Sequence, residues 1–122
     1  MEFSNNNSIY LQIADRLCEQ ILSEEISGED RIPSVREFAA DIQVNPNTVM
    51  RTYGLLQDQG ILYNKRGIGY FVSEKAKQIV MKTKKEEFIQ ESLPELFKMM
   101  DLLNIDFNEL ENIYQTSVKH QN

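Results

Sequence analysis

Apolar positions recur along this chain first at a helical period and then at an extended one. Ile9, Ile13, Leu17 and Ile21 fall every four residues. Tyr10, Ala14 and Leu22 widen the stripe, and Asp15, Arg16, Glu19 and Gln20 occupy the other side. This spacing predicts an amphipathic helix from Ser8 to about Glu24, ended by a loop at Ser27-Gly28-Glu29-Asp30. A second helix opens at Ser34, because Glu37 stands three residues later and completes a capping box. Val35, Phe38, Ala39 and Ile42 make its buried face, and Gln43-Val44 form a tight connection. Asn45 and Pro46 then start a third helix, with asparagine as the cap and proline where a missing N–H costs nothing. It runs to about Gln59 with Val49, Tyr53 and Leu56 inward, and Gly60 terminates it.

Beyond Gly60 the period changes. Ile61-Leu62-Tyr63-Asn64 and Tyr70-Phe71-Val72-Ser73 are rich in strand formers, and Lys65-Arg66-Gly67-Ile68-Gly69 lies between them. These residues predict a β-hairpin with a basic, glycine-rich tip. Three short helices followed by such a hairpin are the plan of a winged helix-turn-helix, a mainly α fold with one small β-hairpin.

Residues 74–122 return to the helical period. Ile79, Ile89, Leu93, Leu96, Phe97, Met100 and Leu103 mark a helix from Lys75 to about Asn104, with a kink or break expected near Ser92-Leu93 because Pro94 lacks a backbone donor. Asp106 and Glu109 offer a second capping box, opening a final helix expected to bury Phe107, Leu110, Ile113 and Tyr114. About 45 residues in two or three helices cannot enclose a ligand cavity and also build their own core. Their apolar stripes need a partner, and the simplest is the same surface on a second copy. Leu93, Leu96, Phe97, Met100, Leu103, Phe107, Leu110, Ile113 and Tyr114 are therefore the expected dimerisation surface. The expected organisation is a reader at 9–77 and a helical dimerisation tail at 78–122. Asn5-Asn6-Asn7 is expected to be a frayed terminus.

Composition fits one folded domain, or a small domain with an appendage: 122 residues, 41% hydrophobic and 26% charged, which excludes a disordered chain. No apolar run approaches the roughly 18 residues of a membrane span. Met1-Glu2-Phe3-Ser4-Asn5 is not the start of a signal peptide, so a cytoplasmic protein is expected. Cys18, the lone cysteine, excludes an internal disulfide, and with a lone His120 it leaves no zinc cluster. Neither metal nor cofactor is expected. Cys18 borders the first helical stripe and has no basic neighbour to activate it, so it is expected to be a small buried hydrophobe.

Charge changes the picture through its distribution. The net charge is -6. Residues 1–30 hold Arg16 against seven acids, giving -6. Residues 31–75 hold Arg31, Arg36, Arg51, Lys65, Arg66 and Lys75 against Glu37, Asp41, Asp58 and Glu74, giving +2. Residues 76–122 hold six lysines against eight acids, giving -2. Fields decay within about 8 Å at physiological salt, so a local basic face can bind a phosphate backbone on an acidic protein.

In a helix-turn-helix the second helix enters the major groove and its N-terminal residues meet base edges. The outward residues there are Asn45, Asn47, Thr48 and Arg51. Asparagine can pair bidentately with adenine and arginine with guanine, and the threonine methyl can pack on thymine. Asn45 serves alternatively as a cap alone, and Asn47 and Thr48 as a solvated first turn. Arg36, one turn into the preceding helix, can reach the groove or clamp a phosphate; its alternative is a surface ion pair with Glu37 or Asp41. The N–H groups after Ser34 offer a phosphate site. At the hairpin, Lys65 and Arg66 supply charge, while Gly67 and Gly69 let backbone approach a narrow groove. Taken alone, a turn needing glycine and a surface needing lysine explain that tip better; set beside the helix pair, the DNA reading is the favoured one.

Three ordered motifs carry a family likeness: Arg31-Ile32-Pro33-Ser34-Val35-Arg36-Glu37, then Val44-Asn45-Pro46-Asn47-Thr48-Val49-Met50-Arg51, then Arg66-Gly67-Ile68-Gly69-Tyr70-Phe71-Val72. Together they resemble the winged-helix domain of GntR-type bacterial transcription regulators, and with a short helical tail they resemble the YtrA subfamily. The resemblance implies a homodimer on a double-stranded, pseudo-palindromic operator, usually as a repressor and often beside transporter genes. It also implies DNA contacts at Ser34 and Arg36, at Asn45, Asn47 and Thr48, and at Gly67 and Gly69. Many relatives carry arginine where this chain has Pro46 and again where it has Met50, and Arg51 stands next to the second of these. The larger effector and aminotransferase-like domains of other subfamilies are not expected here, nor is any cofactor that they would bind. A small effector at the dimer interface, or between tail and reader, would act by shifting the population of DNA-competent spacings.

A winged-helix protein-interaction module is the second reading, and it would expose apolar residues where this chain has Asn47, Thr48, Arg51, Lys65 and Arg66. An enzyme is the third. With His120 near one end and Cys18 buried, no nucleophile–base set can be named.

Overall fold

The computed structural model describes residues 8–117; Asn5-Asn6-Asn7 and His120 lie outside the described residues. Those residues form α1 (Ile9–Leu22), α2 (Val35–Ile42), α3 (Pro46–Asp58), β1 (Leu62–Lys65), β2 (Gly69–Val72), α4 (Ala76–Glu87), a π-helical turn (Phe88–Ser92), α5 (Leu93–Leu103) and α6 (Phe107–Ser117). The chain divides into two compact units, the first ending at Thr83 and the second beginning at Lys84.

In the first unit α3 packs against α1, α2 and β1. The stripe predicted for α1 buries Ile13, Ala14, Leu17 and Ile21, with Cys18 beside it the small buried side chain expected, whereas Ile9, the first residue of the helix, is 52% exposed. These meet Ala39 of α2, Val49, Tyr53 and Leu56 of α3, and Ile32, Ile61, Leu62, Val72, Ala76 and Val80.

Tyr53 lies at the centre, with no exposed surface. Its hydroxyl donates to the Pro33 carbonyl at 2.7 Å, and its ring meets Tyr70 edge-on at 4.9 Å and Phe38 at 6.1 Å. One side chain of α3 thus touches the start of α2, the body of α2 and the second strand. Burial pushes its phenol well above the usual tyrosine range, so it remains a donor throughout the physiological range. Beside it, the buried Thr52 hydroxyl sits 2.8 Å from the Tyr10 carbonyl of α1 and 3.2 Å from the Thr48 carbonyl of its own helix. That partner satisfies the hydroxyl inside the core.

Local sequence sets the ends of these helices. Ser34 and Glu37 make the full capping box, at 3.1 Å from the Glu37 N–H to Ser34 Oγ and 3.0 Å from the Ser34 N–H to Glu37 Oε1. Gly60, at φ 80°, ends α3 with Gly60 N–H bonded to the Gln57 carbonyl and Ile61 N–H to the Leu56 carbonyl, a Schellman pair. Gln43 at φ 58° turns the chain between α2 and α3 in a left-handed conformation without glycine. Ile42, expected inside, is 39% exposed. It is the last residue of α2, and since helical side chains lean toward the N-terminus, no following residue lies over it.

The two strands pair antiparallel, Leu62 with Val72 through Lys65 with Gly69. A third segment joins them: Glu29 N–H bonds to the Val72 carbonyl, Val72 N–H to the Asp30 carbonyl and Ile32 N–H to the Tyr70 carbonyl, at 2.8–3.0 Å, and Arg31 bridges Phe71. The predicted loop after α1 is therefore partly a sheet edge. It shows no alternating pattern because Glu29, at φ 73°, interrupts the extended backbone.

In the second unit Pro94 causes neither a gap nor a new start. Its nitrogen cannot donate to the carbonyl four residues back, and the preceding turn widens so that Leu93 N–H reaches the Phe88 carbonyl, five residues away. Backbone angles at Glu87, Ser92 and Leu93 stay helical. Asn104 at φ 58° closes α5, and Asp106 caps α6 by accepting from the Glu109 N–H at 2.9 Å. The burial expected in α6 does not occur within one chain: Phe107 is 69%, Ile113 47% and Tyr114 48% exposed. Neither α5 nor α6 contains a buried residue.

Tyr53→Phe is expected to lower unfolding free energy by about 1 kcal/mol through the lost hydroxyl bond. Tyr53→Ala is expected to lower it by about 3–5 kcal/mol through the cavity. Urea titration with an unchanged slope checks both; equal losses would show that the hydroxyl, not the ring, carries the site.

Candidate nucleic-acid interface

Three exposed polar segments surround the Tyr53 anchor. The first is the opening of α2. Ser34 and Arg36 are both exposed there, and the Ser34 hydroxyl already accepts from the Glu37 N–H. Two hydrogen bonds to Ser34 hold the Glu37 carboxyl below the usual glutamate range, with Arg31 adding a smaller lowering. Glu37 is thus engaged with the cap, and Arg36 pairs with no acid among the described residues. The ion pair offered as its alternative role is not formed. First-turn N–H groups have no upstream helical carbonyl, so the end of α2 carries unspent donors beside a guanidinium.

The opening of α3 is the second segment. Asn45 Oδ1 accepts from the Asn47 N–H at 2.8 Å, so Asn45 is a cap. Asn47 is exposed and Thr48 half-buried. Arg51 is exposed, yet its guanidinium carbon lies 3.9 Å above the centre of the Tyr10 ring of α1. That cation–π contact fixes a flexible side chain against the first helix.

The hairpin tip is the third. The Ile68 N–H closes the turn on the Lys65 carbonyl at 2.8 Å. Gly67 takes φ 79°, and Gly69 takes φ 142° where a Cβ would stand 3.2 Å from Arg31 Nε. Arg31 Nη2 in turn donates to the Ile68 carbonyl at 2.7 Å. One arginine before α2 therefore braces the tip, and Gly69 is needed for its φ, while a Cβ there would also press on the bracing guanidinium. Lys65 extends over Phe71 with Nζ 4.8 Å from the ring centre, while Arg66 is exposed.

Tyr53 joins the first two segments through Pro33 and reaches the third through Tyr70; Arg31 spans the first and third. Sequence reasoning placed Tyr10 and Tyr53 on inward helical stripes and quoted Arg31 within a motif, but gave none of them the task of holding the exposed side chains. For Arg31, nothing local signalled that its partner lies 37 residues away. The tail residues stand elsewhere, in the second unit. Leu93, Met100 and Leu110 are half-buried there, and Leu96, Phe97, Leu103, Phe107, Ile113 and Tyr114 are exposed. No group of three or more potential metal ligands occurs among the described residues, nor a helix long and apolar enough to cross a membrane.

Because the Glu37 carboxyl is held below its ordinary value of 4.5, its share of stability is present above that pH and is lost as pH falls through the lowered value. Urea midpoints taken across that acidic range should fall less steeply in Glu37→Gln than in the wild type. Identical slopes would show that the cap does not depend on the charge.

Comparison with known proteins bears directly on this arrangement. The sequence model for bacterial regulatory proteins of the gntR family matches residues 9–72. The uncharacterized HTH-type transcriptional regulator YhcF of Bacillus subtilis is 37% identical over 109 residues, 89% of this chain and 88% of that protein. The HTH-type transcriptional repressor YtrA of the same organism is 38% identical over 92 residues, 75% of this chain and 70% of that one. Among solved structures, a transcriptional regulator of the GntR family from Bacteroides thetaiotaomicron is 46% identical, with a TM-score of 0.77 over 94% of this chain and 100% of that chain. Extended likeness, a matching family model and a winged helix-turn-helix agree: this chain belongs to the GntR family of bacterial transcription regulators, which bind DNA.

Proposed function

We propose that this protein is a homodimeric repressor that recognises a pseudo-palindromic operator. The observation that carries the proposal is the anchoring of two exposed helix starts and one exposed basic tip around Tyr53. In this reading residues 9–77 read DNA and 78–122 join two copies. The start of α3 enters the major groove, where Asn47 and Thr48 meet base edges and Asn45 sets the helix end. Ser34 and Arg36 clamp a phosphate at the start of α2, and Arg51, held over Tyr10, serves the backbone beside it. Lys65 and Arg66 face the adjacent minor groove, with Gly67 and Gly69 permitting close approach. Repression is by occlusion of the promoter, and the name of the YtrA relative supports that sign of regulation. A small effector acting on the spacing of two readers would adjust it.

Two copies are needed because α5 and α6 leave their apolar stripes uncovered. Phe97 is 53%, Leu103 60% and Phe107 69% exposed, a density beyond singly scattered surface hydrophobes. Leu93, Leu96, Met100, Leu110, Ile113 and Tyr114 complete the proposed interface.

Sedimentation equilibrium should give twice the chain mass for the wild type at micromolar concentration, and a lower mass for Phe107→Asp with unchanged circular dichroism. A wild-type monomer would sink the dimer. For DNA, selection from random-sequence duplexes should enrich an inverted repeat. Arg36→Ala should bind the enriched duplex more weakly by about 10- to 100-fold per half-site, the loss of one charged hydrogen bond in each. Its salt dependence should be shallower by about one phosphate contact per half-site. An absence of enrichment by folded protein would overturn operator recognition.

A further inference from the structure

We propose that Met50 is a base-reading residue of α3 and that it selects thymine through its 5-methyl group. This rests on the operator reading above and names one element of its specificity.

Within residues 46–54 of α3, Val49, Thr52 and Tyr53 are buried. The long side chains that remain are Met50 and Arg51. Arg51 is engaged, its guanidinium seated over the Tyr10 ring at 3.9 Å. Met50 is 57% exposed. Asn47, Met50 and Gly54 are spaced three and four apart, so they share one stripe of the helix. Nothing stands within 4 Å of where a Gly54 side chain would begin, so that stripe is open toward its C-terminal end. Helical side chains lean toward the N-terminus. Met50 therefore leans over Asn47, toward the end of α3 that meets base edges.

The chemistry of the groove then selects the partner. The thymine methyl is the major-groove feature that an apolar side chain can cover favourably. A thioether is a soft, flexible group that fits such a surface, and it offers no donor to the O6 and N7 of guanine. Guanine there would lose hydration without a replacement hydrogen bond. Half-buried Thr48 is the competing methyl-reader on the same turn.

The test uses the intact chain and the duplex enriched from the random pool. Each thymidine of a half-site is replaced in turn by deoxyuridine, which removes only the methyl, and affinity is read by fluorescence anisotropy. One position should weaken wild-type binding about fourfold per half-site, the scale of one buried methylene. Met50→Ala should bind the thymidine and deoxyuridine duplexes equally, and Met50→Leu should keep the difference. Thr48→Ser should keep it too. Repeating the selection with Met50→Arg should move the preference at that position to guanine. Exposure of Met50 lets all three of its variants fold, which circular dichroism confirms. If every deoxyuridine duplex binds the wild type as tightly as its parent, Met50 does not read a methyl, although operator recognition stands. A methyl effect abolished by Thr48→Ser and kept in Met50→Ala equally overturns the assignment. A failure to enrich any duplex would instead defeat the operator reading itself.

Discussion

The bond from the Tyr53 hydroxyl to the Pro33 carbonyl, with the ring wedged between Phe38 and Tyr70, is the constraint on which the rest of the reader depends. A helix pair joined by so tight a turn has little surface of its own to fix the crossing of α2 on α3. One aromatic side chain does it, because a large ring contributes area while its hydroxyl supplies direction. Its place in the centre also means that the α2 start, the α3 start and the strand pair move together or not at all. Packing of this density responds to strain by shifting as a block rather than by bending locally.

Around that block the charged groups divide their work. Some hold the structure: Arg31 spans from the segment before α2 to the hairpin tip, Glu37 closes the α2 cap and Arg51 lies against Tyr10. Others, Arg36 and Arg66, extend outward. On a chain of net charge -6 this arrangement makes attraction to a polyanion local, since like-signed acids elsewhere are screened beyond about a Debye length. A protein built this way gains affinity from correctly placed contacts more than from bulk charge, which favours selectivity among DNA sites.

The tail shows a different economy of sequence. Its helices obey their caps closely: Asn104 takes a left-handed conformation, Asp106 receives the Glu109 N–H, and Pro94 is absorbed by a π turn. Yet they bury nothing completely. Short helices with apolar stripes are marginal alone because packing, not propensity, supplies most helical stability. The second copy proposed above would supply that packing.

Helix positions, the two strands, the capping box at Ser34, the stop at Gly60 and the exposure of Arg36, Asn47 and Arg66 were all legible in the sequence, because each is set by neighbours within about five positions. Even the inward stripe of α1 and the triplet Val49, Tyr53 and Leu56 follow from period alone. Tertiary structure decided what period cannot encode. It placed Ile42 outside because no turn follows it, and it made the segment at Glu29–Ile32 an edge of the sheet through bonds to Tyr70 and Val72. It also drew Arg51 onto Tyr10 and Arg31 onto Ile68, contacts whose partners lie 37 or more residues apart. Local rules act through the backbone's own short-range hydrogen bonds, whereas these contacts exist only after distant segments have been brought together by a shared core.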